Sequence, residues 1–181
     1  MIKRTLRPYT GNEADAVEGI EYGVWREGSK IRVEYDIYGL LSHLVIPSPV
    51  TGREPERCDE LWRHTCFELF VKEAGETVAS YFECNFSPSG DWNVYSFASY
   101  RDEMVATQLS SEPSIVIGKA KKIFSLCAEV DLGGVITDSV PIDVGVCCVV
   151  EGLGGKFGYW ALSHPGEKPD FHDQRSFLKS L

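Results

Sequence analysis

The segment Leu61–Arg101, LWRHTCFELFVKEAGETVASYFECNFSPSGDWNVYSFASYR, carries the strongest structural signal in the chain. Its apolar and aromatic runs are separated by two clusters of turn residues, at 73–76 and at 88–91. Such spacing predicts three consecutive strands joined by tight turns. We expect the first strand to begin at Leu61, the second to cover residues 78–87, and the third to cover residues 92–100.

Polar side chains interrupt one face of the first two strands. The opposite face is apolar and is the predicted core side, with Phe67, Leu69, Val71, Phe82, Cys84 and Phe86. Because strand residues alternate between faces, Glu68, Glu83 and Asn85 all project away from that core. A buried carboxylate without a partner is costly. These groups therefore meet either a ligand or a neighbouring cation such as Arg63 or Arg101, and the sequence leaves both readings open.

The rest of the chain continues the strand pattern. Residues 30–38 alternate strictly between apolar and polar side chains, which is typical of a half-buried strand. Further strands are predicted at 17–26, 113–118, 122–130, 144–151 and 156–162, with a short helix from Gln174. Nine to eleven short strands with little helix predict an all-β fold, an antiparallel two-sheet β-sandwich that is jelly-roll-like. At this length we expect a single domain, 1–181.

The charge balance limits the classes of partner. The chain has 18 Lys and Arg against 27 Asp and Glu, a net charge of −9 that disfavours binding to nucleic acid. A neutral or a cationic ligand is compatible with this charge, which does not separate the two. No segment approaches the ~20 apolar residues of a membrane span, and the N-terminal sequence lacks a signal-peptide core. We therefore expect a cytoplasmic protein with no membrane partner.

Aromatic residues near the polar face are candidates for stacking on a sugar ring. Trp92 and Trp160 are the main ones, with Trp62 and Tyr100 as further possibilities and Trp25 favoured as core filling. Arg101 can donate hydrogen bonds to hydroxyl groups or pair with Glu83. The predicted ligand-binding residues are Glu68, Tyr81, Glu83, Asn85, Trp92, Tyr95, Arg101, Trp160 and His164.

Three segments resemble the DOMON-like group of bacterial proteins, which is related to the family-9 carbohydrate-binding modules. They are TCFELFV (65–71), YFECNFSPSGDWNVYSFASYR (81–101) and YWALSHPGEKPDFH (159–172). The family pattern Y-x-E-x-N-x-S-P followed by glycine falls on residues 81–88 and Gly90, and Glu68 matches the acidic residue of the preceding strand. The resemblance implies a β-sandwich that binds a sugar or, in other branches, haem.

We interpret the chain as a small-ligand binding protein, favouring a carbohydrate, without catalysis and without a cofactor. One alternative is a glycoside-active enzyme that uses Glu68 and Glu83 as acid and base. Another is a haem-binding domain with Met104 and a histidine as axial ligands. A third is a structural or interaction protein whose polar face is satisfied internally. No metal is predicted, because the spacing of His164, Asp170 and His172 is not that of a standard site. The oligomeric state is left open.

Overall fold

The computed structural model describes residues 3–11, 14–75 and 80–181. Within these ranges the chain forms thirteen strands and three 3₁₀ turns, with no α-helix. No helix among them has the length and apolar character needed to cross a membrane. The strands are β1 (Arg4–Thr5), β2 (Arg7–Pro8), β3 (Val17–Glu27), β4 (Lys30–Gly39), β5 (Leu44–Val45), β6 (Cys66–Glu73), β7 (Tyr81–Phe86), β8 (Trp92–Phe97), β9 (Val105–Ala106), β10 (Ser114–Lys119), β11 (Ile123–Asp131), β12 (Ile142–Gly152) and β13 (Lys156–Ala161). The 3₁₀ turns are Leu41–His43, Leu61–Arg63 and Gln174–Ser176.

The strands form two sheets. The five-stranded sheet has the order β1-β3-β4-β11-β10, and the eight-stranded sheet has the order β2-β13-β12-β6-β7-β8-β9, with β5 also paired to β12. All pairings between these strands are antiparallel. The prediction of an all-β, antiparallel two-sheet sandwich is confirmed.

The core lies between the two sheets and follows from the alternation within each strand. In β4 the apolar face predicted from the sequence is fully buried, whereas Arg32 and Glu34 on the other face reach solvent. Phe67 of β6 packs between Tyr35 and Phe124 of the opposite sheet, with ring centroids 4.9 and 5.9 Å apart. The Tyr35 hydroxyl also donates to the Glu68 carbonyl at 2.7 Å. The two sheets are thus joined directly beneath the polar face of β6.

The outer face of the eight-stranded sheet is also covered. It holds a second apolar cluster formed by Phe70, Tyr81, Tyr95, Phe97, Cys147, Ala161 and Phe177. The chain after β13 pairs with the part of β12 that β13 leaves unpaired: Leu178 and Val144 exchange two backbone hydrogen bonds of 2.8 and 2.9 Å. This C-terminal segment, residues 162–181, therefore lies against the sheet and closes one side of the site described below.

Some strand boundaries differ from the prediction. The first strand of the quoted segment begins at Cys66, because Glu60 adopts a left-handed conformation (φ 60°) and Leu61–Arg63 turn the chain first. The third strand ends at Phe97 rather than at residue 100, and Arg101 beyond it also has a left-handed φ, 54°. Residues 78 and 79 of the second predicted strand lie outside the described residues.

The two-residue strands β1, β2 and β9 were not predicted. They lie at or beside sheet edges and have exposed side chains, so they leave no apolar periodicity in the sequence.

Candidate ligand-binding site

A cavity of about 450 Å³ opens on the outer face of the eight-stranded sheet. That volume lies within the ~300–1,000 Å³ typical of small-molecule sites. Strand residues Glu68, Glu83, Phe97, Val149 and Tyr159 form its floor. Its walls come from the turn before β6, the loop after β8 and the C-terminal segment, which supply Trp62, Arg101, Met104, Pro169, Phe171 and His172.

The register of three neighbouring strands places the polar residues together. Glu68 of β6 lies opposite Asn85 of β7, and Glu83 lies opposite Tyr95 of β8. Glu83 and Asn85 are two positions apart and share one face, so all four residues lie on the outer side of the sheet. Their exposed fractions are only 3% for Glu68, 4% for Glu83 and 0% for Asn85. The three side chains share one face, as the alternation predicts, but only Glu68 and Glu83 line the cavity; the predicted ligand contact of Asn85 is corrected to a hydrogen bond with Glu83.

Glu83 is held by polar groups on both of its oxygens. The Asn85 side-chain amide donates to Oε1 at 2.8 Å, and His172 Nε2 lies 3.6 Å from Oε2. The Tyr81 hydroxyl is 2.7 Å from His172 Nδ1 and accepts from the Arg101 backbone N–H at 3.1 Å. This pattern assigns the hydroxyl proton of Tyr81 to Nδ1, so the neutral imidazole carries its own proton on Nε2, facing Glu83.

Glu68 differs from Glu83 in having an oxygen with no partner. Its Oε1 atom is buried and makes no hydrogen bond to any described residue. Burial raises the pKa of the Glu68 carboxyl well above its usual range, and the nearby charge of Glu83 raises it further. Burial also raises the pKa of Glu83, although the hydrogen bond from Asn85 offsets part of that effect. Two such carboxyls retain protons more readily than either would in water.

His172 is the main polar group that the C-terminal segment brings to the cavity. Burial lowers the pKa of its imidazole to about 4, with the neighbouring Arg101 charge as a second cause. Its ring packs between Phe70 and Phe97, with both centroid distances 5.1 Å. Burial raises the pKa of its partner Tyr81 to about 12, so both groups are neutral near pH 7. Tyr81 thus positions His172, in place of the direct ligand contact expected from the sequence.

Arg101 lines the cavity, but its ion-pair partner is not Glu83. The guanidinium donates to Asp170 at 3.0 Å, and the Tyr100 hydroxyl donates to the same carboxylate at 2.6 Å. Arg63, the other cation considered, pairs with Glu60 at 2.7 Å. The alternative that Arg63 or Arg101 forms a salt bridge with the strand carboxylates is corrected: Arg101 links the loop after β8 to the C-terminal segment.

The structure does not bring Trp92 and Trp160 to the cavity, which corrects their expected stacking role. Trp92 lies opposite Phe86 and Trp160 opposite Cys148, so both rings point into the core between the sheets. They are 4% and 6% exposed. The Arg57 guanidinium lies 4.4 Å from the centre of the Trp92 ring.

Other aromatic rings take their place at the cavity. Trp62 packs edge-on against Tyr95 at 5.8 Å, and Tyr159 packs edge-on against Phe171 at 6.1 Å. Trp62 was one of the stacking candidates in the sequence, although it was assigned to a strand. Phe171 lies in the third segment of the resemblance, but no local pattern in the sequence indicated that it would pack beside β13.

Two further predicted residues lie outside the cavity lining. The Tyr95 hydroxyl donates to Asp59 at 2.7 Å, and its ring supports Trp62 from behind. His164 donates through Nε2 to the Arg7 carbonyl at 3.0 Å and packs on Tyr9. The ligand contact expected for His164 is therefore corrected to a contact with the N-terminal strands.

Metal and haem ligation depend on other groupings. Over residues 3–11, 14–75 and 80–181, no cluster of three or more His, Cys, Asp or Glu side chains is arranged to hold a metal ion. Met104 and His172 line the same cavity, as the haem alternative requires. However, Tyr81 already engages His172 Nδ1, and Nε2 faces Glu83.

No protein-family model matches the sequence, and a search of curated proteins gives no match. The solved structures that are similar to this chain include the following two. One is a presumed carbohydrate-binding protein from Bacteroides uniformis, with a TM-score of 0.67, 13% identity, and coverage of 98% of this chain and 84% of that chain. The other is a family-9 carbohydrate-binding module from Caldicellulosiruptor kristjanssonii in complex with glucose, with a TM-score of 0.49, 9% identity, and coverage of 96% and 82%. The first comparison establishes a shared sandwich fold, while membership of the DOMON-like group stays a prediction.

Proposed function

We propose that this protein binds a saccharide in the cavity on the eight-stranded sheet, without chemical conversion. One observation carries the proposal: Glu68 lines a cavity bordered by aromatic rings, and its buried Oε1 atom has no partner among the described residues. A buried polar atom without a hydrogen bond is costly in a folded protein. A ligand with hydroxyl groups supplies the missing partner.

The chemistry of the lining suits a sugar. Hydroxyl groups both donate and accept, and the cavity offers carboxyl oxygens from Glu68 and Glu83 together with N–H donors from Arg101. Trp62, Tyr159 and Phe171 offer apolar ring surface for the C–H face of a pyranose. The shared fold with a presumed carbohydrate-binding protein supports the same class of ligand.

Binding to a panel of monosaccharides and disaccharides, measured by titration calorimetry, tests the proposal. We expect Glu68→Gln and Trp62→Ala to weaken the best ligand of the panel by about tenfold or more, since each removes one hydrogen-bonding or stacking contact. The matched control is Trp25→Ala: Trp25 lies on the other sheet beneath Arg32, and its loss leaves affinity unchanged. A wild-type protein that binds no sugar, or variants that bind as well as wild type, would contradict the proposal.

Hydrolysis is the second candidate, because two buried carboxyls with raised pKa values line one cavity. Glycosidases use such a pair as acid and base or nucleophile. Nitrophenyl glycosides of the sugars that bind provide the test. If the wild-type protein releases nitrophenol and both Glu68→Gln and Glu83→Gln abolish the release, the protein is a hydrolase and the proposal of binding without conversion is wrong. The haem alternative predicts a Soret band when haem is added to the purified protein.

A further inference from the structure

The lining of the cavity has two acidic side chains and one permanently cationic side chain. Glu68 and Glu83 are both in the lining, and Arg101 is the one Lys or Arg among the described residues there. Its guanidinium is already paired with Asp170 at 3.0 Å. His172 is neutral at physiological pH, because burial lowers its pKa to about 4. The charge of Arg101 lowers the pKa of both carboxyls in part, and the rest of their charge is met by hydrogen bonds and by retained protons.

The titratable groups around the two carboxyls come from every neighbouring element, and three of them, Tyr35, Cys84 and Cys148, lie on the core side of the sheet. They are Tyr35 of β4, Cys66 of β6, Tyr81 and Cys84 of β7, Tyr95 of β8, Arg101 of the following loop, Cys147 and Cys148 of β12, and His172 of the C-terminal segment. Burial raises the pKa of each of these thiols and phenols. Near neutral pH they are uncharged, so Arg101 is the sole cation of this set.

The two carboxyls differ in their hydrogen-bond partners. Glu83 accepts a hydrogen bond from Asn85, which favours its ionised form, and its other oxygen lies 3.6 Å from His172 Nε2. Glu68 also lines the cavity, and its Oε1 atom has no partner among the described residues. A protonated amine is suited to this pair: it donates up to three hydrogen bonds, it neutralises the charge on Glu83, and it gives Glu68 Oε1 a donor.

Two other features favour a cation at the same place. Trp62, Tyr159 and Phe171 border the cavity, and the faces of aromatic rings attract cations, Trp most strongly. The whole chain carries a net charge of −9, which raises the local concentration of positively charged ligands. An anionic sugar would meet repulsion from both carboxyls. A neutral sugar would not neutralise the carboxyl charge, which only retained protons would then reduce.

From this arrangement we infer that the ligand is an amino sugar, whose ammonium group sits between Glu68 and Glu83 while its ring packs against the aromatic border. The inference rests on the proposed saccharide function and specifies the charge of that saccharide. Binding then displaces a proton from the carboxyl pair, because the ammonium group takes over the role of the proton.

The test compares sugars that differ at a single position of each ring, where an amine is replaced by a hydroxyl or an acetamido group. D-glucosamine, D-galactosamine and chitosan disaccharide are each titrated beside their parent or N-acetylated forms at about pH 6.5, where an amine of pKa ~8 is protonated. We expect the best amine form to bind about tenfold or more tightly than its neutral counterparts, as charge-assisted hydrogen bonds exceed neutral ones. Repeating the titration in buffers with different ionisation enthalpies should show proton release by the protein.

Variants separate a specific ammonium site from general attraction. Glu68→Gln and Glu83→Gln keep the shape of each side chain, and we expect either to abolish the preference for the amine and the proton release. Glu129→Gln is the matched control. It removes the same charge from the molecule, but Glu129 lies on β11 of the other sheet. A preference that Glu129→Gln reduced as much as Glu68→Gln would overturn the inference.

The outcomes distinguish this inference from the function on which it rests. Neutral sugars that bind as tightly as their amine forms would overturn the amino-sugar inference and leave saccharide binding intact. Failure of every sugar, charged or neutral, would overturn both. Ethanolamine that bound as tightly as the amino sugars would support the ammonium site and overturn the proposed saccharide.

Discussion

Glu68 lowers the stability of the ligand-free protein but contributes to the proposed binding site. Its side chain is 3% exposed, and one carboxyl oxygen has no partner among the described residues. Burial raises the pKa of the Glu68 carboxyl, and the charge of Glu83 raises it further. Such a side chain destabilises the free protein, since an apolar or amide replacement would avoid the burial of charge. Such destabilisation at a cavity is expected where a ligand relieves it.

A pH series measures this destabilisation. The folded-state pKa of Glu68 is raised, so above about pH 4.5 the folded state binds more protons than the unfolded state, and stability falls as pH rises. Glu68→Gln lacks this loss. We expect its free energy of unfolding to exceed that of wild type by an amount that grows by about 1–3 kcal/mol between about pH 5 and pH 8.

Urea unfolding of variant and wild type side by side provides the measurement. The free energy of unfolding of wild type is subtracted from that of the variant at each pH, because His172 affects both proteins equally. The pKa of His172 is lowered to about 4 in the folded state, so its contribution to stability rises with pH up to about 6.5, opposite in sign to that of Glu68. A difference between Glu68→Gln and wild type that stays constant over the range would show that Glu68 is already satisfied in the folded protein.

The C-terminal segment is the element that turns an open sheet face into a cavity. It supplies Phe171 and His172 to the lining, and it is anchored at one end by Asp170 and at the other by Phe177 and Leu178. Phe177 packs directly over Gly145 of β12. A Cβ atom at residue 145 would lie 2.7 Å from the Phe177 ring and 3.1 Å from Phe70 Cβ. Glycine at this position therefore permits the segment to dock.

Gly145→Ala tests this dependence. The new methyl group must displace Phe177, and we expect a destabilisation of about 1–3 kcal/mol together with weaker ligand binding, because His172 and Phe171 precede Phe177 by only a few residues. Gly118→Ala on the edge strand β10 is the control, since its Cβ would meet Ser125 Cβ at an ordinary 3.6 Å. Unchanged affinity in a destabilised Gly145→Ala protein would indicate that the cavity forms independently of this anchor.

In the whole molecule, the sandwich core sets the stability on which the site depends. Phe67 lies between the sheets, fully buried against Tyr35 and Phe124. The next residue along the strand is Glu68, so the same strand packs the core with one face and presents the carboxyl with the other. Rigid packing beneath the site keeps the carboxyl pair at fixed separation.

Phe67→Ala should reduce the free energy of unfolding by about 3–5 kcal/mol, since it removes a buried aromatic side chain and leaves a void between the sheets. Urea unfolding followed by tryptophan fluorescence measures the change. Val116→Ala, at an edge position that is 66% exposed, serves as the reference and should change stability by less than about 0.5 kcal/mol. A comparable loss in the two variants would mean that the inter-sheet core does not dominate stability.

The sequence predicts the fold and a part of the site. Period-two alternation in residues 30–38 and in the quoted segment predicts both sheets, and it correctly places Glu68, Glu83 and Asn85 on one outer face. Alternation works because each strand is buried on a known side and the face of a residue follows from its position. It did not orient Trp92 or Trp160. The strands that contain them, β8 and β13, carry aromatic side chains on both faces, so alternation alone does not say which face is the core.

The order of the amino acids alone specifies a β-sandwich with carboxyl groups on one sheet, because strand periodicity is a local property of the chain. The folded molecule adds the cavity. His172 lies 89 residues from Glu83 in the chain, the C-terminal segment is held by the long-range Arg101–Asp170 pair, and the turn at Leu61–Arg63 brings Trp62 to the border. Such contacts depend on packing between distant segments, and no periodic pattern in the sequence encodes which of them meet.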